Sequence, residues 1–343
     1  MTGERVASRV LDAYALRVRE LKRVSSGHIN LTYWVFADEG QFILQRLHPV
    51  FGPEVHLDIE AVTSHLAAKG LETPRLVRTR RGELWVSEPD GRPWRLLTCI
   101  PGEVVRAADS PARCAATGSG LGRVHRALWD FAPDFVHRRS GVHDTARHLA
   151  RLRAAVTEHQ DHRLGGEIRP LAAEILMAAE GLAIPPGLPL RVVHGDPKIS
   201  NFVFAPDGSV RAMIDLDTFA RLPLPLELGD ALRSWCCPGG EEAPEPIKIA
   251  HFAAAIEGYA SAIGELPTPA ERAAIPGATA LVAVELAARF CTDALEERYF
   301  AWDASRFSSA AEHNLVRSRA QLALGRSVLA RLPELQRLTS TAW

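Results

Sequence analysis

The first hundred residues alternate apolar and polar side chains in a way that predicts a small β-sheet. Leu21 to Val24, Leu31 to Phe36 and Phe42 to Leu47 are rich in β-branched, aromatic and aliphatic residues. A polar turn, Asp38-Glu39-Gly40, separates the second and third segments. Positions 58–69 change to a helical period, with an apolar stripe that ends at a glycine. A sheet with one helix is therefore predicted for the N-terminal part.

Beyond residue 100 the pattern becomes mainly helical. The segment 94–100 is an apolar strand that runs into Pro101-Gly102, and it marks the expected junction of two lobes. Residues 121–128 fit a core helix, and residues 146–183 fit two helices with a break at Gly165-Gly166. We expect an N-terminal lobe over residues 1–100 and a C-terminal lobe over residues 101–343.

A short β-ribbon is predicted inside the second lobe. Val192-Val193, Phe202 to Phe204 and Val210 to Ile214 read as strands, and Asp207-Gly208 is a typical hairpin turn. The loop 194–201 then lies at one end of the ribbon, just where the last strand ends. Polar side chains in that loop and after that strand are therefore expected to converge.

Those polar residues suit phosphoryl transfer. Asp196 is the candidate proton acceptor, while Asn201 and Asp215 offer the oxygen ligands that Mg²⁺ prefers. Lys198, on the same loop, can set a positive charge against the moving phosphoryl group. A lone His-Gly-Asp also occurs as an ordinary turn. The complete pattern of loop, asparagine and later aspartate favours a functional site.

Composition and charge narrow the class of protein. The 343 residues are 47% hydrophobic, enough to bury two packed lobes, and the formal net charge of −1 argues against a nucleic-acid partner. No run approaches 18 uncharged apolar residues, and residues 1–17 read as an amphipathic helix rather than a signal peptide. Five cysteines without C-x-x-C spacing indicate reduced thiols. We therefore expect a soluble, cytoplasmic protein that does not bind a membrane.

The segments 194–201 and 213–217 resemble the catalytic loop and metal-binding strand of the protein-kinase-like superfamily. The resemblance is to the branch of aminoglycoside phosphotransferases, choline kinases and small-sugar kinases. It implies a two-lobed α+β fold, ATP and Mg²⁺ as cofactors, Asp196 as catalytic base, and Asn201 and Asp215 as metal ligands. It also implies that Asp230 braces the catalytic loop by accepting its backbone amides. Asp217 stands where protein kinases carry the glycine of Asp-Phe-Gly, so a second-metal, substrate or structural role is open.

The same resemblance implies a nucleotide site in the first lobe. Its expected contacts are the loop before the second strand, the third strand, the helix and the hinge, with these residues: Ser26, Gly27, His28, Asn30, Gln45, Arg46, Glu60, Thr98, Cys99 and Ile100. The chain departs from the superfamily in the third strand, which carries Gln45 and Arg46 where a lysine is usual. Neighbouring strand residues point to opposite faces, so only one of the two can face the cleft.

The acceptor side is predicted from a later helix. Glu285, Arg289 and Asp293 are spaced four apart, which is either an ion ladder on a surface or one wall of a pocket. This stretch, with Gln45-Arg46 and residues 214–218, resembles the N-acetylhexosamine 1-kinases. Asp217 and Arg233 are further candidates for acceptor contacts.

The sequence therefore predicts a kinase that phosphorylates a hydroxyl of a small sugar-like molecule. The favoured acceptor is the anomeric hydroxyl of an N-acetylated hexosamine. One alternative is an aminoglycoside O-phosphotransferase, for which Glu241, Glu242 and Glu245 give thin support as an acidic pocket. Another is a catalytically silent pseudokinase that binds nucleotide or sugar. The preferred nucleotide and the oligomeric state stay open.

Overall fold

A computed structural model describes residues 3–24, 30–88, 90–137 and 143–343. Its first layer is an antiparallel sheet with strand order β1-β2-β3-β5-β4. The strands are β1 (Val18–Arg23), β2 (Leu31–Ala37), β3 (Gly40–Arg46), β4 (Val86–Ser87) and β5 (Pro93–Thr98). Two helices, α1 (Gly3–Leu11) and α2 (Val55–Ala68), belong to the same part of the chain. Helix α2 begins three residues before the predicted start and ends just before Gly70, which has a φ of 79°.

The two faces of this sheet have different partners because side chains alternate along each strand. Tyr33, Leu44 and Leu96 point to one face and form a buried cluster with α1. Thr32 lies opposite Gln45 in the register of β2 and β3, and Gln45 lies opposite Arg95 in the register of β3 and β5. These three polar residues share the other face, toward the remainder of the protein.

The crossing from sheet to helices is tightly packed. Glu103 exchanges two backbone hydrogen bonds with Phe204, at 2.9 and 2.8 Å. The preceding Gly102 has a φ of 154°, and a Cβ placed there would lie 2.5 Å from the carbonyl oxygen of Phe204. Only glycine fits this close approach of two backbones.

The rest of the chain is mainly helical. The helices are α3 (Pro111–Leu128), α4 (Thr145–Glu158), α5 (Gly165–Ala178), α6 (Leu224–Trp235), α7 (Ile249–Ile263), α8 (Pro269–Glu296), α9 (Ala310–Ala330) and α10 (Leu332–Ala342). The break between the two predicted helices lies at residues 159–164, and Gly165-Gly166 begins the second one. Helix α8 is long and apolar enough to cross a membrane by length and composition, but 83% of its apolar window is buried inside the protein, as in a core helix.

Two small antiparallel sheets present the predicted loops. Strand β6 (Leu190–Val193) pairs with β9 (Ala220–Pro223), and β7 (Phe202–Phe204) pairs with β8 (Val210–Met213). The loop 194–201 therefore leaves one sheet and enters the other. Residues 214–219 make the return crossing, so the two segments run side by side.

Candidate active site

The loop 194–201 is held at its start by a buried carboxylate of α6. Glu227 is fully buried; its Oε1 accepts the amide of His194 at 3.0 Å and its Oε2 accepts the amide of Gly195 at 2.9 Å. The prediction that Asp230 makes these contacts is wrong. Asp230 lies one helical turn further along α6, where its Oδ1 accepts two hydrogen bonds from Arg233, at 2.9 and 2.8 Å.

The two crossing segments touch directly. His194 Nε2 lies 2.9 Å from the carbonyl oxygen of Ile214. Gly195 has a φ of 79°, and a Cβ on it would lie 2.4 Å from the carbonyl oxygen of Thr218. Glycine at this position therefore allows the loop that carries Asp196 to pack against the segment that carries Asp215.

Asp196, Lys198 and Asn201 form one hydrogen-bonded group. Asp196 Oδ2 accepts from Lys198 Nζ at 2.5 Å and from Asn201 Nδ2 at 3.2 Å. Asn201 Nδ2 also donates to the backbone oxygen of Asp196 at 2.8 Å. Both donors fix the orientation of the Asp196 carboxylate, which suits a group that accepts a proton from a precisely placed hydroxyl.

Asp215 joins this group from the other segment. It lies in the left-handed region, with φ 63° and ψ 58°, which costs a non-glycine residue roughly 1–2 kcal/mol. Its Oδ2 is 4.0 Å from Lys198 Nζ. Burial raises the pKa of Asp215, Lys198 opposes this, and the nearby carboxylates of Asp217 and Asp196 raise it further. Burial alone would lower the pKa of Lys198, but Asp196 and Asp215 raise it to about 12.

The donor atoms suit a hard divalent cation. Asn201 spends its N–H groups on Asp196, which leaves its Oδ1 as the atom for a ligand, and Asp215 adds a carboxylate that is only partly compensated by Lys198. In the part of the chain that the structure describes, no three His, Cys, Asp or Glu side chains converge on a metal position. The protein therefore offers two oxygens, as Mg²⁺ sites completed by nucleotide phosphates commonly do.

Asp217 has a different environment from the one predicted. Its side chain is 1% exposed, and both of its oxygens accept from the guanidinium of Arg95, with Nη2 to Oδ2 at 2.9 Å. Asn30 Nδ2 donates to the same Oδ2 at 2.9 Å. The predicted role in acceptor binding is therefore wrong, because neither oxygen faces the cleft. Burial alone would raise the pKa of Asp217, but Arg95 lowers it below its usual range.

The third strand resolves which of its two residues faces inward. Gln45 Oε1 accepts from Arg95 Nε at 3.0 Å and from Nη2 at 2.7 Å, on the side of the sheet that faces Asp217. Arg46 points to the other face, where it pairs with Asp90 and lies over the ring of Trp94. Its predicted nucleotide contact is therefore wrong.

The acid of α2 does not pair with the third strand. Glu60 Oε1 accepts from Arg78 Nη2 at 2.8 Å, and its Oε2 lies 4.0 Å from Arg75. Its carboxylate is therefore engaged by two arginines, and a nucleotide role of Glu60 stays a prediction. One turn earlier on α2, His56 is fully buried. Its burial and, to a smaller extent, the positive charge of Arg95 lower the pKa of His56 to about 4.

The remaining predicted nucleotide contacts lie in the hinge and in the loop before β2. Thr98 donates its amide to the oxygen of Arg75 at 2.9 Å, and Cys99 donates its amide to Gln41 at 3.3 Å. Both N–H groups are thus occupied by backbone oxygens, and the contacts of Thr98, Cys99 and Ile100 with adenine stay a prediction. The predicted contacts of Ser26, Gly27 and His28 lie outside the described residues.

Charged side chains continue outward from the base. Arg233 is held by Asp230, and its Nη1 lies 4.0 Å from Glu241. Burial alone would lower the pKa of Arg233, but Asp230, Glu241 and, more weakly, Asp196 raise it. Glu241 also acts electrostatically on Lys198. Acids and bases therefore alternate beside the catalytic group.

A second polar group lies on α8. Glu285 is buried, and its oxygens contact His143 Nδ1 at 3.2 Å and Thr145 Oγ1 at 2.5 Å. Burial alone would lower the pKa of His143, but Glu285 raises it above its usual range. Arg289 stacks over Tyr299 and Phe300, and it forms no ion pair with any residue in the described ranges.

Asp293 is a loop anchor. Its oxygens accept the amides of Arg298, Tyr299 and Phe300, at 3.0, 2.8 and 2.9 Å, and the side chain of Asn314 at 2.9 Å. Helix α8 ends at Glu296, and the chain turns back so that its next amides point at this carboxylate. The prediction that Asp293 binds acceptor hydroxyls is wrong, because four protein donors already occupy it.

Two important residues were missed by the sequence analysis. Glu227 lies only three residues from Asp230 on the same helix face, so spacing could not separate them. Arg95 carried a signal: it is the one charge within the apolar segment Trp94 to Cys99. A charge inside a buried strand requires a partner.

Comparisons with known proteins identify the family of the chain. Residues 20–275 match the phosphotransferase enzyme family. A homoserine kinase of Methylobacillus flagellatus is 25% identical over 283 residues, covering 82% of this chain and 81% of that protein. A homoserine kinase of Rhodospirillum rubrum is 30% identical over 233 residues, covering 68% and 70%. The solved structure of amicoumacin kinase hAmiN in complex with AMP-PNP, Ca²⁺ and Ami has a TM-score of 0.66 at 16% identity, covering 94% of this chain and 93% of that one.

The fold and the site define a small-molecule kinase with an alcohol group as acceptor. The chain belongs to the phosphotransferase enzyme family. The predicted two-lobed α+β fold is confirmed. The matched relatives named above are homoserine kinases, so an N-acetylated hexosamine as acceptor stays a prediction.

Proposed function

We propose that this protein uses Mg²⁺ and transfers the γ-phosphoryl group of ATP to the hydroxyl of homoserine or a closely similar hydroxy amino acid. The observation that carries the reaction is the meeting of Asp196, Lys198, Asn201 and Asp215 where two loops cross. The likeness to homoserine kinases over about four-fifths of the chain supports the acceptor.

Each side chain has a defined task in this proposal. Asp196 orients the acceptor hydroxyl and takes its proton as the new P–O bond forms. Asn201 and Asp215 hold the metal, which supplies positive charge to the phosphate oxygens. Lys198 lies between Asp196 and Asp215. Its ammonium can therefore stabilise negative charge that develops on the transferred phosphoryl group.

The charges beside the base suit a zwitterionic acceptor. Homoserine carries one ammonium and one carboxylate close to its hydroxyl, so a site for it needs a nearby acid and a nearby cation. Glu241 and Arg233 are such a pair, 4.0 Å apart, and Asp196 is among the carboxylates that raise the pKa of Arg233. A carboxylate is bound well by the planar donors of a guanidinium.

An N-acetylated hexosamine is the second candidate. It is favoured by the buried Glu285 with its partners His143 and Thr145, next to Arg289, because a polyhydroxylated ring needs several fixed polar partners. An aminoglycoside is disfavoured. Glu242 is occupied by His313 and Arg306, and Glu245 lies 3.8 Å from Lys248, so little acidic charge is left for a polycation.

The test is an ADP-release assay with a panel of acceptors, and the products are identified by mass spectrometry. The panel contains L-homoserine, N-acetylglucosamine, N-acetylgalactosamine, the 1-O-methyl glycoside of N-acetylglucosamine, and kanamycin. We expect O-phosphohomoserine, and about 100-fold less of it or lower with Asp196→Asn. Turnover of the free hexosamines alone, lost with the 1-O-methyl glycoside, would promote the sugar; turnover of kanamycin alone would promote the aminoglycoside.

Two arginines separate the candidates independently. Arg233→Met removes the cation beside the base, whereas Arg289→Met is a matched change beside the Glu285 group. For homoserine we expect Arg233→Met to raise the acceptor KM by about tenfold or more and Arg289→Met to have little effect. The reverse order contradicts a homoserine pocket. A thermal shift with ATP and Mg²⁺ in the absence of any turnover would identify a silent binding protein.

A further inference from the structure

A line of polar side chains crosses the sheet and ends at the metal segment. Thr32 Oγ1 accepts from Gln45 Nε2 at 3.3 Å, and Gln45 Oε1 accepts from Arg95 Nε at 3.0 Å. Arg95 then binds both oxygens of Asp217. Because Thr32, Gln45 and Arg95 are register partners on three adjacent strands, the sheet itself fixes this line.

The pair at the end of the line is sealed from solvent. Arg95 and Asp217 each have a side chain only 1% exposed. Asn30 completes the closure, since its Nδ2 donates to Asp217 at 2.9 Å while its Oδ1 accepts the amide of His48 at 2.9 Å. A guanidinium in this position cannot reach nucleotide phosphates, so its effect on the site must pass through Asp217.

Asp217 lies two residues after Asp215, whose backbone is in the left-handed conformation. On the N-terminal side this conformation is held by Ile214, whose amide donates to the backbone oxygen of Asn201 at 2.9 Å. On the following side the short 3₁₀ turn Leu216–Thr218 carries Asp217. The contact between Arg95 and Asp217 therefore fixes the chain on the C-terminal side of Asp215.

We propose that Arg95 is a positioning residue that acts through Asp217 to aim the Asp215 carboxylate at the metal. It does from the fifth strand what the missing third-strand lysine does in related kinases, namely to connect the sheet with the phosphate-binding apparatus. Gln45 stands at the lysine position and serves as the acceptor that orients the guanidinium. This inference rests on the proposed role of Asp215 as a metal ligand.

The experiment removes both charges together. In the double variant Arg95→Met with Asp217→Leu, two apolar side chains of similar size replace a buried ion pair, a change that proteins often tolerate. ATP affinity is measured by calorimetry without metal and over a Mg²⁺ series. Arg46→Met is the matched control, because Arg46 adjoins Gln45 but points to the other face of the sheet. Asp215→Ala defines the full loss of the Mg²⁺ effect.

We expect the double variant to keep the near-ultraviolet circular dichroism of the native protein and its metal-free ATP affinity within about threefold, while the Mg²⁺ midpoint rises about tenfold or more. Arg46→Met should match the wild type in both measurements. A Mg²⁺ midpoint that stays at the wild-type value in the folded double variant overturns the proposal, as does an equal loss of ATP affinity with and without metal. If Mg²⁺ has no effect on ATP binding by the wild type, the proposed metal site itself is wrong.

Discussion

Glu227 and His194 are joined by a buried hydrogen bond of 3.0 Å that holds the first residue of the catalytic loop against helix α6. The second oxygen of the same carboxylate holds Gly195. A carboxylate that accepts from two consecutive amides defines the path of the chain between them. The direction in which Asp196 leaves this loop is therefore set by a buried residue of α6 that lies outside the loop.

Glu227→Gln tests this brace. The amide side chain presents an NH₂ to one of the two N–H groups, so we expect kcat to fall by about 10–100-fold and stability to fall by about 1–3 kcal/mol. Asp230→Asn is the comparison. It frees Arg233 instead, so it should act on the acceptor KM. An equal kcat loss at unchanged KM in Asp230→Asn would contradict the assignment.

Asp196→Asn tests the base. The substitution keeps the size of the side chain and removes its ability to take a proton, so kcat should fall by about 10²–10⁴ with nucleotide affinity near wild type. Steady-state kinetics and calorimetry give the two values. A variant within a few-fold of wild-type activity would remove Asp196 from the mechanism.

Asn201→Ala and Asp215→Ala test the metal ligands. Both should abolish turnover at ordinary Mg²⁺, and Asp215→Ala should be the more severe because it removes a charge. The measurement is a Mg²⁺ titration of kcat/KM. Asp207→Ala, in the exposed hairpin turn, is the control aspartate. Titration curves of both variants that overlay the wild type would show that neither residue is a ligand.

Gln45 and Arg46 give opposite expectations. Gln45 faces Arg95, whereas Arg46 lies over Trp94 on the other face of the sheet, so Gln45→Ala should raise the KM for ATP by about threefold to tenfold while Arg46→Ala stays near wild type. Equal, negligible effects would mean that the third strand has no part in holding the nucleotide.

His56 should make the protein sensitive to mild acid. Its pKa falls from the ordinary 6.5 to about 4 in the fold, so between these values the unfolded chain binds a proton that the native state does not. The contribution of neutral His56 to the free energy of unfolding is then fully present above pH 6.5. It is lost as the pH falls toward 4, and the total loss is about 3 kcal/mol. Denaturant unfolding across this range should show the loss, and His56→Phe, which keeps the stacking on Trp85, should flatten it. The control is His48→Gln, which changes an exposed histidine. If the free energy of unfolding depends on pH in His56→Phe as it does in the wild type, His56 is not the source of the acid sensitivity.

The predictable part of the molecule is local in sequence. Residues 192–217 specify strands, a hairpin and a loop within one short stretch, so the neighbourhood of Asp196, Asn201 and Asp215 followed from spacing alone. The strands and α2 followed from periodicity in the same way. The boundary at residues 100/101 between lobes stays a prediction.

The unpredictable part depends on distant partners. Arg95 and Asp217 are 122 residues apart, and their contact requires the register that puts Arg95 beside Gln45. Asp293 had the right spacing for an ion ladder with Arg289, but the reversal of the chain after α8 supplied it with backbone amides. Spacing along one helix cannot reveal what a following loop will bring back to it.

The anchoring of residues 298–300 on Asp293 has a consequence for how the surroundings of Arg289 can change. The segment 298–309 starts at one carboxylate and ends where Ser309 caps α9, and its Tyr299 and Phe300 flank Arg289. The length and composition of this segment can therefore change while both attachment points and the catalytic loop stay unchanged. Exchanging it between relatives is therefore expected to change the surroundings of Arg289, the contact on which the sugar candidate depends, without disturbing Asp196.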